Sequence, residues 1–220
     1  PVPLDEEQVF NLEHLRVPYI HAKRAAEQLA IEFARQGRWI CVVNPGYLVG
    51  PEDYGPSVMG RFCLRFWKGR IWLVPRGGIN LADVRDVAKG HLLAAEHGQP
   101  GRRYILGGSN LSFLELCQQL AHLAGVRPRY MPACPKPLLA MFALLAHARA
   151  WWCKREPYPS FAHVRMGYYY WYYSSLRAIE ELGYTSRPIT TTLRETWDWY
   201  RQNNTVRWHA FQRWWLRPAA

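Results

Sequence analysis

The chain is short of the signatures that would announce a metal, a phosphate loop or a membrane span. Its five cysteines (Cys41, Cys63, Cys117, Cys134 and Cys153) are scattered, with no Cys-x-x-Cys and no Cys/His ligand spacing. That argues against a structural zinc and fits reduced thiols in the cytoplasm. The eight histidines include no His-x-x-x-His pair, so no metal site is expected. Neither a Gly-x-x-Gly-x-x-Gly turn nor a Gly-x-x-x-x-Gly-Lys-Ser/Thr loop is present, which leaves the chain without a glycine cradle for phosphates. The longest apolar run, residues 137–146 (PLLAMFALLA), falls well short of the ~20 residues a bilayer span requires; it is expected to form a buried helix. The first residues, PVPLDEE, read as the interior of a longer protein, and not as a signal or transit peptide. There is no internal repeat and no low-complexity tract.

Acidic residues are also scarce. Seventeen Asp and Glu face 28 Lys and Arg, for a net charge of +11, a balance that suits an acidic partner. The excess is partly local, since the last 20 residues hold four Arg and no acid. A nucleic-acid reading requires an organised basic face with aromatic platforms, and only this tail offers one.

What is present is a core and a pattern. With 49% hydrophobic residues over 220 positions, the chain can bury a sizeable interior. Residues 7–35 read as a long helix whose Ala22, Ala25, Ala26, Leu29, Ala30 and Phe33 recur at helical spacing, closed by Gly37. Residues 39–43 (WICVV) read as a strand buried on both faces. Further helices are predicted over 57–68, from Asp83 to 97, over 112–124 behind the capping box Ser112/Glu115, over 174–182, and from the second capping box Thr192/Glu195 to about 203. Strands are predicted over 71–74, 79–81 and 104–106. Strands alternating with helices predict an α/β fold with a largely parallel sheet.

One pair carries chemistry. Tyr19 and Lys23 stand four residues apart and so share one face of the first helix. A free phenol titrates near pH ~10, and a neighbouring ammonium favours the phenolate, which makes the pair a candidate acid/base unit at an alcohol or carbonyl carbon. Spacing alone also allows an aromatic ring packed under a solvated amine.

The order of the motifs says more. Tyr19-x-x-x-Lys23 is followed by Ala26-Glu27, then by Asn44-Pro45-Gly46-Tyr47-Leu48-Val49-Gly50-Pro51. Next come Asn80-Leu81-Ala82-Asp83-Val84-Arg85-Asp86-Val87-Ala88, Tyr104-Ile105-Leu106-Gly107-Gly108 with Leu111-Ser112, and Glu181-Leu182-Gly183-Tyr184 before a helix with Trp197 and Tyr200. This series resembles the C-terminal part of the extended short-chain dehydrogenase/reductases, the NAD-dependent epimerase/dehydratase group, and within it the dihydroflavonol-reductase-like branch. The resemblance covers roughly residues 1–203. It implies a partial Rossmann-like, doubly wound parallel sheet made of the late strands only, over residues 1–125. A small, mostly helical substrate-side region over 126–203 and a basic aromatic tail over 204–220 would follow.

By the same resemblance, Tyr19 and Lys23 are the catalytic residues, and with Pro45 and Gly46 they meet NAD or NADP at its nicotinamide end. Tyr47 would face the substrate; Arg85 and Arg76 could meet an anionic group, or be solvated surface arginines. Pro45-Gly46 also reads as an ordinary strand-ending turn, and Asp83 and Asp86 as helix caps. The aromatic run 168–173 would lie near the substrate or fill space beneath the sheet. The family's first strands and its Ser or Thr upstream of the tyrosine are not in this sequence, so residues 40–43 are expected to form a hydrophobic edge. The implied activity is oxidoreductase or epimerase chemistry on a small molecule such as a sugar nucleotide or a dihydroflavonol- or steroid-like compound. Either the chain is a truncated, poorly soluble fragment or it docks onto another polypeptide that supplies the missing half; a homodimer partner is the other expected association. The rival reading is a non-catalytic interaction module, its tail 204–220 touching an anionic membrane surface.

Overall fold

Gly46 divides one extended stretch into two strands that pair with different neighbours. The computed structural model describes residues 1–15, 17–71, 73–128, 133–154, 157–203 and 216–218. Before the glycine, β1 (Val42–Pro45) runs parallel to β4 (Arg103–Leu106), with Val42 opposite Arg103 and Pro45 opposite Leu106. After it, β2 (Tyr47–Val49) runs parallel to β3 (Gly78–Asp83), with Tyr47 opposite Leu81. β3 pairs antiparallel with β5 (Ser109–Ser112) and parallel with the two-residue β7 (Tyr170–Trp171). Gly107 and Gly108 separate β4 from β5, so both chain segments change partners at glycine. A Cβ on Gly46 would lie 2.5 Å from Asn80 Oδ1, and one on Gly107 would lie 2.7 Å from the same atom. Backbone approaches a buried side chain so closely there that only glycine fits.

The helices cover the sheet on both faces, as residue alternation along β3 requires. Leu81 belongs to a core shared with α2 (Val58–Trp67), α4 (Phe113–Leu123) and α8 (Ile189–Gln202); the next residue, Ala82, belongs to one shared with α3 (Val84–His97) and α7 (Leu176–Leu182). Trp67 anchors the first core, its ring 4.7 Å from that of Trp197 and its Nε1 donating to the carbonyl of Leu120 at 3.3 Å. Tyr104, Leu106 and Tyr184 fill the second. The α/β reading holds. So do the caps at Asp83 and Ser112: Asp83 accepts from the backbone N–H of Arg85, and Ser112 and Glu115 close their box.

Several local expectations are corrected. The first helix, α1, spans Pro18–Arg35, preceded only by a 3-10 turn at Glu13–Leu15; it has no buried residue. Its apolar positions include Leu29, 57% exposed, and Phe33, because no element of the described chain lies over that face. The strand expected over 39–43 begins at Val42, where pairing with Arg103 becomes available, and is only partly buried. Among the described residues β1 pairs with β4 alone, which leaves the expected edge. Residues 71–74 form no strand; Val74 makes a single bridge to Ala133, and Trp72 lies outside the described residues. α8 starts three residues before the expected box, behind Pro188, so Thr192 is interior and its hydroxyl donates to Asp83 Oδ2 at 2.8 Å. The apolar run 137–146 lies in α5 (Lys136–Cys153) and is largely exposed. Of the tail, residues 204–215 and 219–220 lie outside the described residues, while β8 (Leu216–Pro218) pairs antiparallel with β6 (Val126–Pro128). No helix among the described residues is long and apolar enough to cross a membrane.

Candidate active site

Pro18 opens α1 at its first position, where its missing N–H leaves no extra orphan donor. Tyr19 therefore enters the helix in the first turn, and Lys23 follows one turn later on the same side. The Tyr19 ring is 65% exposed. The Lys23 ammonium lies 5.8 Å from the ring centroid, at the outer reach of a cation–π contact. Both polar tips are thus presented to solvent, not sunk in a core.

Glu27, two turns along α1 from Tyr19, fixes the helix to the sheet. Its carboxylate accepts from Asn44 Nδ2 at 2.7 Å and from the Arg103 guanidinium at 3.3 Å. Asn44 immediately precedes the Pro45-Gly46 bend, so one carboxylate sets the position of the helix relative to that bend. The N-terminal segment braces the other side. Arg24 pairs with Glu13 at 2.7 Å and lies 4.2 Å over the Phe10 ring. Glu6, itself buried, accepts the backbone N–H of Ile105 at 2.7 Å.

Tyr47 follows the bend and is half-buried. Burial, and after it the proximity of Tyr19, push its phenol above the ordinary range. Tyr173 is pushed up to about 12 by burial and then by Tyr47. Tyr47, the residue after Pro45-Gly46, therefore lies within electrostatic reach of Tyr19 on one side and of Tyr173, the end of the aromatic run, on the other. The floor beneath is organised by Asn80, which sequence reasoning passed over as a motif letter. Its Oδ1 accepts from Gly108 N–H at 2.9 Å, and its Nδ2 donates to Asn110 Oδ1 at 2.8 Å; Asn110 in turn binds both the N–H and the carbonyl of Tyr173. The signal available in the sequence was three glycines ending strands, Gly46, Gly107 and Gly108, which together imply one crowded point.

Arg85 is taken up elsewhere. Its guanidinium holds Asp83 at 2.6 Å and also pairs with Glu195 of α8. Asp86, beyond capping range, binds the Arg187 guanidinium at 2.6 Å. These pairs tie α3 to α8 and to the approach to α8. All five cysteines are unpaired, and burial, followed by the charge of Asp53, pushes Cys63 up to about 12, so that thiol is inert at neutral pH. Among the described residues no cluster of three or more His, Cys, Asp or Glu could hold a metal ion.

Comparison with known proteins decides the family. Residues 1–107 match the model of the NAD dependent epimerase/dehydratase family. The chain belongs to the epimerase/dehydratase family. A putative dihydroflavonol 4-reductase from Synechocystis is 33% identical over 207 residues, covering 92% of this chain and 60% of that protein. The crystal structure of a nucleoside-diphosphate-sugar epimerase from Pseudomonas aeruginosa is 26% identical with a TM-score of 0.74, covering 94% and 63%. At 20% identity and a TM-score of 0.60, covering 91% and 60%, the Pseudomonas aeruginosa protein RMD, solved in complex with NADPH, shares the fold. This epimerase/dehydratase chain spans about three fifths of the length of the curated relatives it matches.

Proposed function

We propose that this chain carries the acid/base half of a nicotinamide-dependent oxidoreductase or epimerase site that acts at a hydroxyl or carbonyl carbon of a small molecule. The observation that supports it most is the exposed Tyr19, one turn from Lys23 and within electrostatic reach of the half-buried Tyr47 that follows the Pro45-Gly46 bend. A phenol bound for the core would be packed and partnered; this one is held at the rim of a helix that Glu27 fixes in place.

The residues present fit the nicotinamide end of NAD or NADP. Tyr19 and Lys23 are exposed and donor-bearing, and Glu27, through Asn44, ties their helix to the strand that runs into Pro45-Gly46. They do not include a glycine turn for the pyrophosphate, which a polypeptide carrying the N-terminal half would supply. When bound, the dinucleotide supplies or accepts hydride at the substrate carbon. Tyr19 donates its proton to the carbonyl oxygen in the reducing direction and takes the hydroxyl proton in the oxidising one. Lys23 keeps a positive charge beside the phenol and offers donors to a ribose hydroxyl. Tyr47 and Tyr173 face the substrate with flat rings, which suits a sugar's apolar face or a flavonoid- or steroid-like ring system. The cytoplasm, where five unpaired thiols stay reduced, is the compartment we assign.

The test is a chimera that joins the N-terminal part of the Synechocystis relative to this chain, assayed for carbonyl-dependent NADPH and NADH oxidation. Tyr19→Phe is expected to lower turnover by about 10²–10⁴-fold with dinucleotide affinity retained. Turnover unchanged by that substitution would remove Tyr19 from the reaction and with it this reading.

A further inference from the structure

Helix α5 packs inside out. Its 18 residues turn the small Ala143 and Ala150 inward, where both are buried. His147, on the same side, stacks on Phe161 of α6 (Phe161–Met166) with ring centroids 4.4 Å apart. That contact fixes which face of α5 looks outward. Met141, Leu144, Leu145, Ala148 and Trp152 follow one another at helical spacing on the opposite side, with Trp151 at its margin. Leu144 and Leu145 are 60% and 59% exposed, and Trp151 and Trp152 each 82%. A helix on a water-facing surface shows the reverse arrangement.

The charge around this face is of one sign. Among the described residues 133–154 and 157–173 there are four Lys or Arg (Lys136, Arg149, Lys154 and Arg165) and no acid. Lys136 stands at the start of α5 and Arg149 and Lys154 near its end. Beside the helix, a groove of about 430 Å³ is lined by Lys136, Pro137, Ala140, Phe161, Val164 and Arg165; its walls are apolar apart from the two basic residues, of which Arg165 also donates to the carbonyl of Leu15 at 3.4 Å.

We propose that the outward face of α5, with the α5–α6 groove, docks on an anionic phospholipid surface. The helix lies in the plane of the interface. Leu144, Leu145 and Met141 enter the acyl boundary, the two tryptophans sit at headgroup level, and the cations meet lipid phosphates. The helix does not span, which agrees with the absence of a span-length apolar helix among the described residues. Charge complementarity selects lipid over a second copy of this chain, whose matching face would bring like charges together. This inference does not depend on the catalytic reading.

The test is flotation of the 220-residue chain with phosphatidylcholine vesicles, with and without about 30% phosphatidylglycerol. Co-flotation is expected with the anionic vesicles and is expected to weaken at about 0.5 M salt. Leu145→Gln/Trp151→Ala/Trp152→Ala is expected to weaken binding by about tenfold or more with an unchanged melting temperature, since all three side chains are exposed. Lys136→Glu/Arg149→Glu is expected to abolish the preference for phosphatidylglycerol. A tail variant, Trp214→Ala/Trp215→Ala, is expected to bind as the parent does. Three results would each overturn the proposal: no flotation with either vesicle, binding lost in the tail variant and kept in the α5 variant, or a dimer in sedimentation equilibrium that the α5 variant dissolves while vesicle binding stays absent.

Discussion

Asn80 and Gly108 are joined by a hydrogen bond of 2.9 Å from the glycine N–H to the amide oxygen, and that bond holds together the two places where strands change partners. The amide is wholly buried and spends its other end on Asn110. Asn80→Ala leaves the Gly108 N–H and the Asn110 oxygen short of partners in the interior, and should cost about 2–4 kcal/mol. Asn80→Asp should cost more at neutral pH, because a carboxylate would face the Asn110 oxygen with no proton to share. Urea midpoints of the two variants check the order; equal midpoints would mean that the Gly108 bond kept by the carboxylate offsets its repulsion from the Asn110 oxygen.

Asp83 sets a pH dependence. Burial by itself raises its carboxyl, but hydrogen bonds from the Arg85 guanidinium and backbone and from the Thr192 hydroxyl outweigh that and hold it below the usual carboxylate range. A group lowered in the folded state contributes stability above its unfolded value and loses it as pH falls through the folded one. The loss should therefore begin near pH ~4 and grow on further acidification. Asp83→Asn is expected to cost about 2–3 kcal/mol at pH 7, reduced from the fully buried case because Arg85 is more than a third exposed. It should also flatten the acid limb. Denaturant titrations of both proteins between pH ~7 and pH ~3 measure this, and parallel acid limbs would assign the slope to other carboxylates.

What could be read in advance divides along a physical line. Motifs whose meaning is local, such as the Ser112/Glu115 box, the Asp83 cap and the Gly37 stop, were legible because their partners lie within a few residues. The Tyr19–Lys23 pair was legible for the same reason, a helical turn being a local rule. The second box at Thr192 failed because Asp83, more than a hundred positions away in sequence, competes for the same hydroxyl. Asn80 was missed because its work is done for glycines and a tyrosine brought near only by the sheet. The apolar run of α5 misled for a related reason: hydropathy says that a side chain avoids water, but the neighbours that would cover it are a tertiary fact.

Gly60 and Tyr200 meet at Asp53. The Tyr200 hydroxyl donates to Asp53 Oδ2 at 2.7 Å, and the same carboxylate accepts the N–H and hydroxyl of Ser57, the α2 cap. A Cβ on Gly60 would lie 1.9 Å from that oxygen and 2.3 Å from the Tyr200 hydroxyl. Tyr200→Phe keeps the ring and the Ser57 bonds, so a cost of about 1–1.5 kcal/mol is expected. Gly60→Ala must displace an anchored carboxylate and should cost more, about 2–3 kcal/mol, despite the better helix propensity of alanine. Thermal melts rank the two; a stabilised Gly60→Ala protein would show that the Asp53 cluster yields freely.

The outward face of α1 should behave as surface although its residues are apolar. Leu29 and Phe33 have no cover among the described residues, so Leu29→Gln and Phe33→Gln are each expected to change stability by less than about 0.5 kcal/mol. Trp67→Ala, which empties the centre of the first core, should cost about 3–5 kcal/mol. The contrast matters because α1 carries Tyr19 and Lys23. If its apolar face is unpartnered in this chain, the polar substitutions should also reduce self-association, which light scattering at increasing concentration records. A large loss of stability from Leu29→Gln would instead mean that α1 is packed within the chain, and the position assigned to Tyr19 would have to move with it.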